Sequence, residues 1–346
     1  MVESEQGQGI VELLNQLCRE ALQEDSLTGI REKFSKVEPC ALEHLDDITR
    51  VAVEREIGQI LSSRTIERAR YYARNLQNGL RPPPEEEREA INLNLWKGYD
   101  HIITDSLWNL GARARDGHHK AWYWGNFVPQ IPFQLMSRYT SQGDWVLDPF
   151  CGSGTTLLEA LKLGRNSLGV ELNSDVYQKT SGLVAKASGK EGARAVLENH
   201  DSMDFDFAGF MEKEEIPGFK LAIIHPPYWD IIKFSENPKD LSMARDVDDF
   251  TGMLASLAHR ILPSMKEGSH LALVIGDVYR KGEVIPLGFR SMDALASLGL
   301  KLRGIIVKDI QNTRAKRNSE NLWRYRALKS GFYVFKHEYV FVYRYQ

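Results

Sequence analysis

The feature that most constrains the fold is a glycine-rich turn between two apolar segments. The run Trp145-Val146-Leu147 precedes the turn and residues 157–161 follow it with helical spacing, so the region predicts a strand, a turn and a helix. Gly152 and Gly154 permit a positive φ and a close approach of another group to the backbone. The free N–H groups at the start of the new helix attract a carboxylate or a phosphate. The turn therefore predicts a cofactor-binding loop at the end of a strand.

A second motif, His225-Pro226-Pro227-Tyr228-Trp229, follows the apolar run 221–224. Its two prolines stiffen the backbone at the point where the flat ring of Tyr228 is presented. A rigid ring beside free carbonyl groups suits a planar substrate.

Together the two motifs resemble those of the S-adenosylmethionine-dependent DNA amino-methyltransferases, which methylate cytosine N4 or adenine N6. In that family an Asp-Pro-Phe-x-Gly-Ser-Gly-Thr-Thr loop binds the methionine part of the cofactor, and an (Asp/Asn/Ser)-Pro-Pro-Tyr loop holds the target base. The resemblance extends from near Trp122 to the C-terminus and implies S-adenosyl-L-methionine as the cofactor. It implies cofactor binding by Asp148, Pro149, Phe150, Cys151, Gly152, Gly154, Thr155 and Thr156, and catalysis by His225, Pro226, Pro227 and Tyr228.

Three further cofactor contacts are expected outside the loop. Glu171 ends the next predicted strand, where an acid can accept hydrogen bonds from the ribose hydroxyls. Asp201 stands where the family has a side chain near the adenine ring. Phe127 lies in an aromatic and proline-rich segment that resembles the part of the family closing over the cofactor.

The implied chemistry is direct methyl transfer to an amino group whose lone pair is delocalised into the base. The Pro226 carbonyl and the side chain at 225 can accept the amino hydrogens while Tyr228 stacks on the base, so positioning supplies most of the rate. A base in duplex DNA has to be flipped out to reach such a pocket.

His225 departs from the family pattern. Only a neutral imidazole accepts a hydrogen bond, so activity is expected to fall as the pH drops through a pKa near 6.5 if that value is unperturbed.

The net charge of −3 does not indicate a DNA partner, because a DNA-binding domain is usually basic. One segment nevertheless interleaves cations with aromatic rings, a combination that can bind phosphates and stack on bases, although a solvated loop would have the same composition. The predicted DNA contacts are Arg314, Lys316, Arg317, Trp323, Arg324 and Arg326.

The chain is expected to contain two parts, an accessory region at 1–115 and a methyltransferase domain at 116–346. Apolar residues recur at helical spacing over 9–22 and 48–60, and the proline and acid run at 81–87 predicts a further helix over 84–114. The accessory region carries no recognisable catalytic motif. Target recognition and packing or oligomerisation are equally open roles for it.

Strands and helices alternate after residue 140, which predicts an α/β fold with a mostly parallel, Rossmann-like methyltransferase sheet. Residues 332–345 are expected to close the sheet as an antiparallel hairpin around 336–338. In such a sheet both motifs lie at carboxyl ends of strands and become neighbours. The cofactor loop precedes the base loop, which looks like a circular permutation of the order common among relatives with this glycine loop.

Several alternative functions are also considered. RNA or protein-amide methylation, or an inactive nucleic-acid-binding subunit, would use the same fold, and a homodimer or a partner subunit is left open. Carbon-5 cytosine methylation is rejected because Cys151 lies in the glycine turn and Cys40 in the helical region. The three cysteines lack metal-ligand spacing, so no metal is expected. The polar N-terminus and the absence of a long apolar run predict a cytoplasmic protein without membrane contact.

Overall fold

A computed structural model describes residues 5–81, 91–115, 122–123, 125–231, 237, 239–310 and 320–346. The chain divides into two units, Met1–Ile102 and Ile103–Gln346. The division falls earlier than the expected boundary at 115/116, because a short strand after Ile102 joins the sheet of the second unit. The roles of the two parts stay predictions.

The first unit is helical. Its helices are α1 (Glu5–Gln23), α2 (Leu27–Ser35), α3 (Pro39–Leu42), α4 (Asp47–Ser62) and α5 (Ile66–Gly79). The helices predicted at 9–22 and 48–60 are confirmed as α1 and α4. Ser26, Asp46 and Thr65 begin α2, α4 and α5 by accepting backbone N–H groups of the first turn. Apolar side chains from these helices form one core, which includes Leu14, Ile30, Phe34, Val53, Ile60 and Leu76.

The helix predicted over 84–114 is wrong for the described residues 91–114. This stretch contains a 3₁₀ helix at Leu93–Gly98 and the short strand β1 (Leu107–Trp108). Gly98 lies so close to the backbone of Ile48 that any side chain there would collide with the Ile48 carbonyl. Tertiary contact therefore overrides the local helical signal.

The second unit is built on a mixed sheet. The strands after β1 are β2 (Trp145–Asp148), β3 (Asn166–Glu171), β4 (Ala195–Asn199), β5 (Phe219–Ile224), β6 (Met265–Ile275), β7 (Val278–Arg280), β8 (Glu283–Ile285), β9 (Lys301–Asp309) and β10 (His337–Arg344). Within the described residues the sheet comprises eight of these strands, in the order β1-β9-β10-β6-β5-β2-β3-β4. Only β10 runs antiparallel to its neighbours in this sheet, while β7 and β8 form a separate antiparallel pair. The predicted α/β, Rossmann-like fold class is confirmed.

Helices cover both faces of the sheet, and alternate strand residues point to opposite faces. They are α6 (Gln130–Tyr139), α7 (Thr155–Leu163), α8 (Ser174–Val184), α9 (Phe207–Lys213), α10 (Val247–Ile261) and α11 (Leu287–Ala296). A further helix, α12 (Glu320–Ser330), has no buried side chain among residues 321–330. Leu147 and Ala222 belong to one buried cluster, and Val146 and Leu221 belong to another. Among the described helices none is long and apolar enough to cross a membrane.

The C-terminal strand confirms the expected antiparallel end of the sheet but corrects the expected hairpin around 336–338. Residues 332–336 form no strand, so 337–344 do not pair with a preceding arm of the same hairpin. Instead β10 inserts between β6 and β9 and pairs antiparallel with both. Because both edges of β10 are occupied, its backbone groups are satisfied without a local hairpin.

The strand order reverses at β2. The chain runs from β2 through β3 to β4 on one side, then returns to β5 on the other side of β2. The parallel pairing of Leu147 with Ala222 makes the carboxyl ends of β2 and β5 adjacent. Ligands of open α/β sheets bind at such a switch point, and both sequence motifs follow these two strands.

Candidate active site

The glycine loop joins β2 to α7 by a tight turn. Gly152 has φ +53° and Gly154, which begins α7, has φ +76°. A Cβ at Gly152 would come within 3.0 Å of Cε1 of Tyr123, and one at Gly154 within 2.8 Å of Cγ2 of Thr180. Thr180 Oγ1 donates to the Gly152 carbonyl at 2.8 Å and holds the turn against α8. Glycine is therefore required both by the backbone angle and by the space.

Asp148 ties the two ends of this loop together. One carboxylate oxygen accepts the Phe150 N–H at 3.0 Å and the other accepts the hydroxyl of Thr156. Burial raises the pKa of Asp148 to about 6, against the lowering effect of these two hydrogen bonds. A buried, locally bonded acid of this kind shapes the loop.

Glu171 lies at the end of β3, beside the turn. Its Oε2 accepts the Gly152 N–H at 2.9 Å and its Oε1 accepts the Asn173 N–H at 2.8 Å. Burial raises its pKa, and these two bonds oppose the rise. Since each carboxylate oxygen can accept a second hydrogen bond, Glu171 keeps acceptor capacity for two hydroxyl groups.

Asp201 follows β4 in a turn that is linked to the glycine loop by the hydrogen bond from Ser202 Oγ to the Pro149 carbonyl. Its Oδ1 accepts the Met203 N–H at 2.9 Å. Its Oδ2 is buried and has no hydrogen-bond partner among the described residues. A buried acceptor without a donor is costly and marks a place where a ligand donor fits.

The segment around Phe127 links the two loops. Asn126 Oδ1 accepts the Ser153 hydroxyl at 2.5 Å, and the Phe127 ring packs edge-on against His225 with centroids 4.8 Å apart. Tyr123, which sequence reasoning did not single out, lies against Gly152. The expectation that this segment borders the cofactor site stays a prediction.

The base loop begins where β5 ends. His225 Nε2 lies 3.3 Å from the Tyr228 hydroxyl, which donates to Glu338 Oε2 at 2.9 Å. Lys308 Nζ donates to Glu338 Oε1 at 2.8 Å. Sequence reasoning missed Lys308 and Glu338, because both stand beside other polar residues at the ends of their strands and no local signal marks them as buried.

This environment changes the titration expected of His225. Although the residue is not wholly buried, the packed groups around it exclude enough water to lower its pKa to about 4; Glu338 opposes the shift and Lys308 adds to it. Burial also raises the pKa of Tyr228 well above its usual value. The ordinary histidine value near 6.5 therefore does not apply here.

Two neighbouring residues have structural roles. Trp229 is buried with φ +51°, and its indole N–H donates to the Ala244 carbonyl at 3.0 Å. Cys151 is buried in the glycine turn, where burial raises its thiol pKa. A buried protonated thiol is a poor nucleophile.

The predicted DNA contacts fall into two groups. Arg314, Lys316 and Arg317 lie outside the described residues. The other three are on α12, where the Arg326 guanidinium lies 5.3 Å from the Trp323 ring centroid. The same helix exposes large apolar side chains, with Tyr325 62% and Leu328 73% exposed. Their contact with DNA stays a prediction.

The residues around the glycine turn fit an adenosyl cofactor. Glu171 keeps capacity for hydroxyl donors, and Asp201 offers a buried oxygen that has no partner among the described residues. Acidic acceptors suit the hydroxyl and amino donors of a nucleoside.

Comparison with known proteins agrees with this fit. The sequence model of a family described as DNA methylase matches residues 69–181, which include the glycine loop and Glu171. The type II methyltransferase M.MthZI of Methanothermobacter thermautotrophicus is 50% identical over 93 residues, 26% of each chain. M.MjaII of Methanocaldococcus jannaschii is 41% identical over 88 residues, 25% of this chain and 17% of its own. M.BglI of Bacillus subtilis is 31% identical over 121 residues, 34% of this chain and 33% of its own.

The matched segments span about a third or less of these relatives. The family match supports S-adenosylmethionine as the cofactor. Its binding by the glycine loop stays a prediction. The resemblance that the two motifs predict, to the S-adenosylmethionine-dependent DNA amino-methyltransferases, is thus confirmed.

Proposed function

We propose that this chain is a site-specific DNA methyltransferase that transfers the methyl group of S-adenosylmethionine to the exocyclic amino group of cytosine (N4) or adenine (N6) in a flipped-out base. The observation that carries the proposal is the parallel pairing of β2 with β5, whose ends continue into the glycine loop and the base loop. A methyl donor bound at one loop would lie beside a base held at the other. Such proximity supplies a large part of the barrier reduction in a direct transfer.

The roles of the residues follow from their positions. The cofactor supplies an electrophilic methyl group when it is bound. Glu171 would hold the ribose hydroxyls and Asp201 the adenine amino group. The Pro226 carbonyl and neutral His225 would accept the amino hydrogens of the target base, so that the nitrogen lone pair points at the methyl group. The Tyr228 ring would stack on the base.

DNA contact would come first from α12. The helix carries Arg324, Arg326 and Lys329 against the single acid Glu320, and most of its side chains are exposed. A helix without a buried face gains little from packing and is better explained by a partner. Cations beside exposed rings suit phosphates and bases.

The helical unit offers a second DNA contact, which favours recognition over oligomerisation as its role. A recess of about 770 Å³ in this unit is lined by the exposed rings of Trp96 (63% exposed) and Tyr71 (58%), with Arg68 and Asn75 beside them. Flat rings stack on unpaired bases, and an amide can form hydrogen bonds to the edge of a base.

Trp96→Ala should weaken DNA binding at least about fivefold, since stacking of one base contributes about 1–3 kcal/mol. Leu13→Ala, which removes another exposed apolar side chain of this unit, should leave binding unchanged.

The proposed activity is tested by incubating the protein with methyl-labelled cofactor and, separately, with duplex DNA, RNA and total protein. Label in N4-methylcytosine or N6-methyladenine of hydrolysed DNA supports the proposal and decides the base. Label in RNA or in protein amides would replace it with one of the rival substrates. Cofactor binding without transfer to any substrate would indicate a binding subunit. A cytoplasmic location stays a prediction that cell fractionation checks.

A further inference from the structure

A buried ion pair lies beneath the base loop and is connected to it. Lys308 and Glu338 are directly paired residues of β9 and β10, only 6% and 7% exposed, with Nζ and Oε1 2.8 Å apart. The other oxygen of Glu338 accepts the Tyr228 hydroxyl at 2.9 Å, and that hydroxyl lies 3.3 Å from His225 Nε2. An unbroken chain of polar contacts therefore runs from the sheet to the residue that replaces the family's Asp, Asn or Ser.

Stability alone does not explain this ion pair. The free-energy cost of removing two charges from water is about as large as the stabilisation from their attraction. Proteins with apolar residues of similar size at such positions are often equally stable. Asp309 and His337 pair on one side of it, but the next pairs towards the middle of the strands, Val307 with Tyr339 and Ile306 with Val340, are largely apolar, so an apolar pair would also continue this part of the sheet. The fixed geometry of the pair points instead to an orienting role.

The direction of each hydrogen bond follows from the donors available. An ammonium group only donates and a carboxylate only accepts, so the single Tyr228 proton goes to Glu338. The phenol oxygen can then only accept from His225, which requires the proton of a neutral imidazole to lie on Nε2. Nδ1 is left as the acceptor.

We infer that Lys308 and Glu338 are positioning residues that fix His225 as the Nε2–H tautomer and so make Nδ1 the acceptor for the amino group of the target base. The inference rests on the proposed function only for the identity of the group that Nδ1 receives. The tautomer itself is a property of the free protein.

Glu338→Gln tests the direction of the chain without changing its shape. Because Lys308 only donates, the Gln carbonyl has to face it, and the Gln NH₂ then faces Tyr228. The Tyr228 hydroxyl would therefore turn its proton towards His225 Nε2 and move the imidazole proton to Nδ1. A donor would face the target amino group, and kcat should fall about tenfold or more. Affinity for S-adenosylmethionine should be unchanged.

A second substitution should reverse the effect. In Glu338→Gln combined with Lys308→Met no ammonium group fixes the amide, so its carbonyl can turn to Tyr228 and restore the Nε2–H tautomer. If the pair only stabilised the fold, kcat of the double variant should be lower still than that of Glu338→Gln. Recovery of kcat relative to Glu338→Gln therefore separates orientation from stability.

The tautomer is measured directly by NMR of the full chain carrying ¹⁵N-labelled histidine, with the His225 signals identified by their loss in His225→Asn. We expect a protonated Nε2 in wild type, a protonated Nδ1 in Glu338→Gln and a protonated Nε2 in the double variant. Tyr228→Phe, which removes the linking hydroxyl, should give a mixture of tautomers. A protonated Nδ1 in wild type, or an unchanged tautomer in both Glu338→Gln and Tyr228→Phe, overturns the inference. Because the spectra need no DNA, absence of methyl transfer would refute the proposed function separately.

Discussion

Methyl transfer should stay nearly constant down to about pH 5, well below the range in which an ordinary histidine titrates. The acceptor role requires neutral His225, so activity is lost only as the pH falls through its folded-state pKa of about 4. At pH 5.5 a pKa of 4 leaves about 97% of the imidazole neutral, whereas a pKa of 6.5 leaves about 9%. The rate at pH 5.5 relative to pH 7.5 should therefore be near 1 and not near 0.1.

The cause of the lowered pKa can be tested with the ring that packs on His225. Phe127→Ala admits water to the imidazole and should raise its pKa towards 6.5. The charged groups near the ring, Glu338 and Lys308, remain in this variant and oppose each other. An inflection should therefore appear between pH 5 and 6.5, and it should be absent from the double variant with His225→Asn.

The assay is single-turnover transfer of labelled methyl to DNA at saturating cofactor. Saturation matters because Asp148 in the cofactor loop has a pKa of about 6, so cofactor affinity can change over the same range. His225→Asn serves as the control because it keeps the Asp148 titration and removes the imidazole. A wild-type midpoint near 6.5 that disappears in His225→Asn would show that burial does not hold His225 neutral.

Two further predictions concern the cofactor loop and α12. Gly152→Leu should abolish S-adenosylmethionine binding in calorimetry, because the side chain meets Tyr123 and φ is +53°. Gly143→Leu, with φ +83° but open space, controls for backbone strain: it should lower stability yet bind the cofactor normally in the folded protein. Unchanged affinity in folded Gly152→Leu would contradict the placement. Neutralising Arg324 and Arg326 should lower the salt dependence of DNA binding by roughly one unit of slope per lost phosphate contact. Equal effects from neutralising the exposed controls Lys186 and Lys190 would show that only net charge matters.

Local sequence was sufficient for the parts of the site that depend on near neighbours. The glycine turn is determined by φ requirements within a few residues, and the Pro-Pro-Tyr loop by the stiffness of proline. A parallel sheet places both loops at carboxyl ends of strands, so the loops were expected to be neighbours, whereas the direct pairing of β2 with β5 comes from the structure.

Long-range contacts were not accessible in the same way. Glu338 reaches Tyr228 across 110 residues of chain, and only the register of β9 and β10 places it beside Lys308. The lowered pKa of His225 comes mainly from burial by residues distant in sequence, such as Phe127. The predicted helix over 84–114 failed for a related reason, since the close contact of Gly98 with the Ile48 backbone is tertiary.

The last prediction concerns Asp201, whose Oδ2 is buried without a partner among the described residues. If this atom accepts the exocyclic amino group of the cofactor adenine, wild type should bind S-adenosylmethionine more tightly than an analogue with purine in place of adenine. A hydrogen bond to a charged group contributes about 1.5–3 kcal/mol, so the preference should be roughly 10- to 150-fold. Asp201→Ala should remove the preference, whereas Asp204→Ala, which removes an exposed carboxylate of the same turn, should keep it. Equal preference in wild type and Asp201→Ala would mean that the unpartnered oxygen does not face the adenine, and that another group selects the nucleoside.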